Sequence, residues 1–322
     1  MLCRILSVSS LLLTAATAWN TDVHNQIGFM AETFLTPSTT SVLQHVLGPQ
    51  YSGSIGRAAD WADAYAHTAE GSFSYQWHWI DSADEPPTSC NLCYDRDCSK
   101  GGCVVSAIAN QTEILRDCIA DVKHGILTDG SNITCSYALK WLTHFVGDVS
   151  QPLHASGTAA GGNLFNVTFN NISTELHAVW DGYIIYRDAG LSQFSHQSIS
   201  PFMSSLVSRI KADDFSQPTA EWLACIDPAT PRKCALSWAR ESNRWTCDYV
   251  YNQTYNDTDL ATSGYAEGAY PIVELQISKA ALRLATLLNR LVASGCKTGH
   301  EVVLQTNHNR QDSPKEADDV FT

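Results

Sequence analysis

The chain of 322 residues carries 33 acidic side chains against 20 basic ones, a net charge of −13 at neutral pH. That balance argues against a protein that grips polyanions with a basic surface. It leaves room for a phosphate-handling enzyme whose positive charge comes from bound metal.

Residues 1–18 read as a secretory signal. Arg4 supplies the positive end, Ile5 to Leu13 an apolar core too short to span a bilayer, and Ala16-Thr17-Ala18 a small-residue cleavage motif. The expected mature chain is secreted, begins at Trp19 and holds 19 basic against 33 acidic residues, a balance of −14. Residues 19–296 show no repeat, linker or composition shift and are read as one domain; residues 297–322 form a polar tail expected to be flexible.

Helical periodicity dominates. VHNQIGFMAETFL sets Val23, Ile27, Met30, Ala31 and Phe34 on one stripe, with Asp22 as a candidate N-cap. SYALKWLTHFVGDV repeats apolar residues at helical spacing from Ser136 and stops at Gln151-Pro152. NVTFNNIST alternates around Asn170-Asn171 as a small hairpin would. A last helix is expected to start at Pro271, with Gly295 just past its end; Lys279, Arg283, Asn289 and Arg290 interrupt it too often for a membrane anchor. The fold class is mostly α, with that hairpin and a Pro-, Cys- and Gly-rich loop over residues 84–103.

Ten cysteines remain after Cys3 leaves with the signal, an even number that favours disulfides in an oxidising compartment. The alternative for Cys90 and Cys93 is half of a zinc knuckle, and Cys225 with Cys234 is a pairing suggested by proximity alone. Glycosylation sequons stand at Asn110, Asn132, Asn166, Asn171, Asn252 and Asn256.

The chemistry lies in paired histidines and aspartates. HFVGD and HAVWD place His144 with Asp148 and His177 with Asp181 at the four-residue spacing that shares a helix face. His154 follows the first pair, and WADAY and WHWID add Asp63, His78 and Asp81. Imidazole and carboxylate are the ligands of hydrolytic zinc. A single pair reads more readily as a surface ion pair; this many buried-looking charges need a compensating cation.

With these segments assembled, the chain resembles the type I nucleases of fungi and plants. These are zinc-dependent, single-strand-specific endonucleases that also act as 3′-nucleotidases, with a helical fold related to the bacterial zinc phospholipases C. WNTDVH, WADAY, WHWID, PPTSCNLCYDRDCSKGGC, HFVGDVSQPLH, GGNLFNV and ELHAVWD carry the likeness in family order. The resemblance implies three zinc ions. Trp19, through its free α-amine and carbonyl oxygen, would hold the first with His24 and Asp148; Asp63, His78, His144 and the shared Asp148 the second; His154, His177 and Asp181 the third. An α-amine with a pKa of about 7.7 to 8.0 can ligate near neutrality.

By the same resemblance, Asp63 and Asp148 would serve catalysis with a zinc-bridging hydroxide that yields 5′-phosphates from single-stranded DNA or RNA, and 3′-nucleotides would be substrates too. Trp79 would stack on a base, Asp81 would bond its edge, and Ala160, Gly161 and Asn163 would form the opposite wall. Disulfides Cys98–Cys103 and Cys90–Cys247 are implied, and a monomer is expected. One position departs: the family usually has Lys or Arg where this chain has Ala66, and neighbouring His67, charged in acid, is a candidate replacement. The rival readings are a phospholipase C-like phosphodiesterase and a weakened zinc-binding protein, though every implied metal-ligand position is filled.

Overall fold

The computed structural model describes residues 19–127, 131–193, 197–252 and 258–294. The expected signal and the tail at 297–322 lie outside them, as do Asn256 and Cys296. The helices in chain order are α1 (Thr21–Glu32), α2 (Pro37–Leu47), α3 (Ile55–Ala58), α4 (Trp61–Ala66), α5 (Tyr94–Asp97), α6 (Val104–Lys123) and α7 (Ile133–Asp148). After the hairpin β1 (Asn166–Phe169) and β2 (Ile172–Glu175) come α8 (Leu176–Ala178), α9 (Ile184–Asp188), α10 (Ser200–Ala212), α11 (Thr219–Trp222), α12 (Pro231–Trp245) and α13 (Tyr265–Ser294).

Two apolar clusters build the interior. One gathers Val104, Ile108, Leu139, Leu142 and Phe145 with Leu288; the other gathers Trp19, Val23, Trp180, Ile184 and Val273. The histidines and aspartates come from both sides of the seam, because Ala62, Phe145 and Val149 belong to the first cluster and Val23, Val179 and Trp180 to the second. Every residue of α7 from Ala138 to Asp148 is buried, so its charged end is enclosed on all sides.

The hairpin forms as expected. Asn170 and Asn171 take φ of 53° and 60°, the left-handed pair that a two-residue turn requires and that Asn tolerates. Asp259 accepts from both turn amides at 2.9 and 2.6 Å. Three helix starts differ from expectation. The N-cap of α1 is Asn20, which accepts from the Val23 amide at 3.1 Å, while Asp22 accepts from the Tyr186 hydroxyl. Helix α7 begins at Ile133, capped by Asn132. Helix α13 runs through Pro271 from Tyr265: burial of Tyr265, Ala266 and Ala269 outweighs the one backbone bond proline cannot make.

Cys90–Cys247, Cys98–Cys103 and Cys225–Cys234 are bonded as expected, and Cys118–Cys135 ties the end of α6 to the start of α7. The Cys90 bridge removes the zinc-knuckle alternative. Cys93 is exposed and unbridged.

Candidate metal centre

Helix α7 delivers His144 and Asp148 one turn apart with Nε2 and Oδ2 3.3 Å from each other. The fully buried Asp148 carboxylate faces two ways. Oδ1 lies 3.1 Å from His24 Nε2 on α1, and Oδ2 lies 3.1 Å from His78 Nδ1. Asp63, on α4, brings Oδ1 to 3.3 Å from both His78 Nδ1 and His144 Nε2. A second group sits beyond Pro152: His154 Nε2 is 3.2 Å from His177 Nε2, which is 3.2 Å from Asp181 Oδ2. Asp181 lies in the π-turn Val179–Tyr183, the kind of helix distortion that gathers at functional sites.

Three groups of ligand atoms lie within 4.8 Å of one another: His24, His144 and Asp148; Asp63, His78 and His144; and His154, His177 and Asp181. The orphaned atoms are what fit them to a cation. His24 Nε2, Asp63 Oδ2 and both Asp148 oxygens are buried without a hydrogen bond. Several of them stand close to one another, so their lone pairs converge on shared space rather than pairing off. Buried polar groups left in that state are costly unless a cation fills the space.

The surrounding bonds orient the rings for the same purpose. Nδ1 of His144, His154 and His177 faces the carbonyls of Ala59 at 2.6 Å, His78 at 2.8 Å and Gly161 at 2.5 Å. Each carbonyl fixes the proton on Nδ1 and turns the Nε2 lone pair inward, as metal-binding histidines require. Gln151 Nε2 donates to Asp181 Oδ1 at 2.8 Å. The His24 ring stacks on His144 with centroids 3.7 Å apart, and Gly147 leaves room for it: a Cβ there would lie 3.0 Å from His24 Nδ1.

Protons alone settle unevenly in this space. Burial disfavours the His144 cation, but Asp148 and Asp63 overcome it and raise the ring to about 9. His24 falls to about 4 through burial and the charge of His144. His177 falls to about 3 through burial and His154. Burial pushes Asp181 well above the usual carboxylate range, while Asp148 is held well below it by His144, His24 and His78 against its own burial. A divalent cation would let every member ligate deprotonated.

Trp19 is fully buried, its indole donating to Gly147 O at 3.0 Å and Ser150 Oγ at 3.1 Å. The next amide, Asn20, donates to Asp181 O at 3.0 Å. The chain end at Trp19 and Asn20 is thus tied to the end of α7 by the indole and to Asp181 by the next amide. Trp79 is half-buried, and its Nε1 donates to the exposed Asp81 at 3.1 Å. Partial desolvation by its surroundings raises the Asp81 carboxyl. Ala160 is exposed with φ 53°, Gly161 supplies the carbonyl facing His177, and Asn163 Nδ2 donates to Ala160 O at 2.8 Å. Ala66 is buried and His67 exposed against Tyr75, with ring centroids 5.6 Å apart.

Sequence reasoning missed Gln151, Gly147 and the Ala59 carbonyl. A glycine inside a strong helix pattern was a usable signal for Gly147; nothing local marks the other two.

The S1/P1 nuclease family model matches residues 19–293. Nuclease S1 of Aspergillus oryzae is 34% identical over 90% of this chain and 98% of its own length. Nuclease P1 of Penicillium citrinum is 32% identical over 86% and 98%, and endonuclease 4 of Arabidopsis thaliana 29% identical over 90% and 94%. A Clostridium perfringens alpha-toxin structure overlaps loosely, with a TM-score of 0.42, 14% identity, and coverage of 87% of this chain and 65% of the toxin; a likeness of that grade decides nothing about the site. The family match and the fungal relatives together place this chain in the S1/P1 nuclease family, and it is a nuclease.

Proposed function

We propose that the chain is a secreted, zinc-dependent endonuclease that cleaves single-stranded DNA and RNA to 5′-phosphate products and also hydrolyses 3′-nucleotides. The observation that carries this reading is the convergence of buried His24 Nε2, His78 Nδ1, His144 Nε2, Asp63 Oδ1 and both Asp148 oxygens at the seam of the fold, neighbouring atoms lying 3.1 to 3.3 Å apart. Four disulfides and the absence of a membrane-crossing helix among the described residues fit an extracellular protein.

Imidazole and carboxylate in buried groups of three suit zinc. We assign one ion to Trp19, His24 and Asp148, one to Asp63, His78, His144 and Asp148, and one to His154, His177 and Asp181. When bound, zinc supplies an acidified water and positive charge for the phosphoryl oxygens. Asp148 spans two of the positions because its oxygens face different rings. Asp63 Oδ2, buried and unbonded, accepts a hydrogen bond from the attacking water and fixes its direction. Gln151 holds Asp181, and the three carbonyl-bound imidazoles keep their inward lone pairs. Trp79 offers a ring face to a base, which a stacked duplex withholds. Asp81, held beside Trp79 by the indole N–H, hydrogen-bonds the base edge.

Elemental analysis of the purified protein tests the assignment. Three zinc ions per chain are expected, falling to one in Asp148→Asn because the His154 group does not use that carboxylate. Full zinc content in the variant contradicts the shared-ligand reading.

A further inference from the structure

Six large apolar side chains are exposed among the described residues, and two of them, Phe73 at 54% and Tyr75 at 39%, lie on the turn Ser72–His78 that ends in His78. In a 3₁₀ turn, side chains three apart stand one above the other. Tyr75, one such turn before the buried His78, is exposed to solvent. Its ring meets Trp79 at a centroid distance of 5.0 Å and an interplanar angle of 86°. The two rings form a corner rather than a continuous platform. A third exposed apolar residue, Leu164 at 76%, follows Asn163 in the chain.

We infer that Tyr75 is a substrate-specificity residue: its ring takes the base adjacent to the one on Trp79. Two neighbouring bases held on perpendicular faces are splayed apart at the phosphate between them. Single strands reach that geometry at low cost, while a duplex must first unstack. Nucleobases rather than lipid are the favoured occupant because the exposed rings adjoin the turn that carries a metal-ligand histidine, while the acidic chain offers little general attraction to phosphate. Stacking therefore carries more of the recognition of longer substrates. This inference rests on the nuclease reading of the same site.

The test compares Tyr75→Ala and Tyr75→Phe with the parent on a short single-stranded oligonucleotide and on a 3′-mononucleotide. Tyr75→Ala is expected to raise KM for the oligonucleotide about tenfold, within the range seen when a stacking ring is removed. The mononucleotide KM, kcat and zinc content stay unchanged, and Tyr75→Phe matches the parent. Equal KM increases on both substrates, or none on the oligonucleotide, overturn the inference. So does loss of phosphatidylcholine-vesicle binding with oligonucleotide binding intact. Fluorescence anisotropy of the labelled oligonucleotide gives the same ratio without turnover. A parent that is inert on both substrates refutes the nuclease reading, whereas an active parent matched by Tyr75→Ala refutes only the role of Tyr75.

Discussion

Replacing Gly147 with alanine should weaken zinc binding without unfolding the chain. A Cβ there would lie 3.0 Å from His24 Nδ1 and 3.1 Å from His24 Cε1, so the ring must retreat by a few tenths of an ångström. Its room is limited, since it is stacked on His144 at 3.7 Å. The helix cannot shift freely either, because Gly147 O accepts from Trp19 Nε1 at 3.0 Å and from Ser150 Oγ at 2.6 Å. Overpacking of this kind costs about 1–3 kcal/mol, and alanine returns about 1 kcal/mol through helix propensity. The metal-free variant should therefore lose roughly 0–2 kcal/mol, or a few degrees in Tm. Displacing a ligand through its support typically costs about 10–100-fold in metal affinity. Competition for zinc against a chromophoric chelator reads that loss directly. A variant whose tightest and weakest zinc affinities both stay within about twofold of the parent would refute the argument that Gly147 makes space for a ligating His24.

A protein with one extra residue ahead of Trp19 should lose the zinc that depends on the free amine, because that amine becomes an amide; full zinc content and activity would show that Trp19 is only a packed side chain. Trp79→Ala should raise KM for mononucleotides and oligonucleotides alike while leaving zinc content intact, and loss of all metal would reveal a structural role instead. Asp188, away from the centre, is raised to about 7 by burial and by Glu274. A carboxyl raised on folding binds its proton more tightly in the native state, so its contribution is full below about pH 4 and is lost as pH climbs through 7. Allowing for its partial exposure, Asp188→Asn should stabilise the protein by about 1 kcal/mol at neutral pH and not at pH 4. Equal Tm shifts at both pH values, measured calorimetrically, would contradict this.

The histidines and aspartates were legible because helical spacing forces residues four apart onto one face, and α7 and the segment at 176–188 obey that rule. The hairpin was legible because two asparagines at a turn tolerate positive φ. Other features depend on distant partners. Pro271 looked like a helix start by local rules, but Tyr265 buries its ring against Trp180, donated to at 2.9 Å, and carries the helix backward. Asp22 looked like a cap until Tyr186, 164 residues away, took its carboxylate. Cys118 and Cys135 pair only because α6 and α7 pack side by side. The carbonyls of Ala59 and Gly161 leave no trace in a sequence, since any residue has one.

The account stands most directly on cleavage by the purified protein of single-stranded and duplex DNA of the same sequence at mildly acidic pH, run as isolated, after chelation, and after zinc is restored. It predicts cleavage of the single strand well ahead of the duplex, abolished by chelator and recovered with zinc. Cleavage that survives complete zinc removal, or no cleavage by a protein shown to carry its zinc, would contradict it.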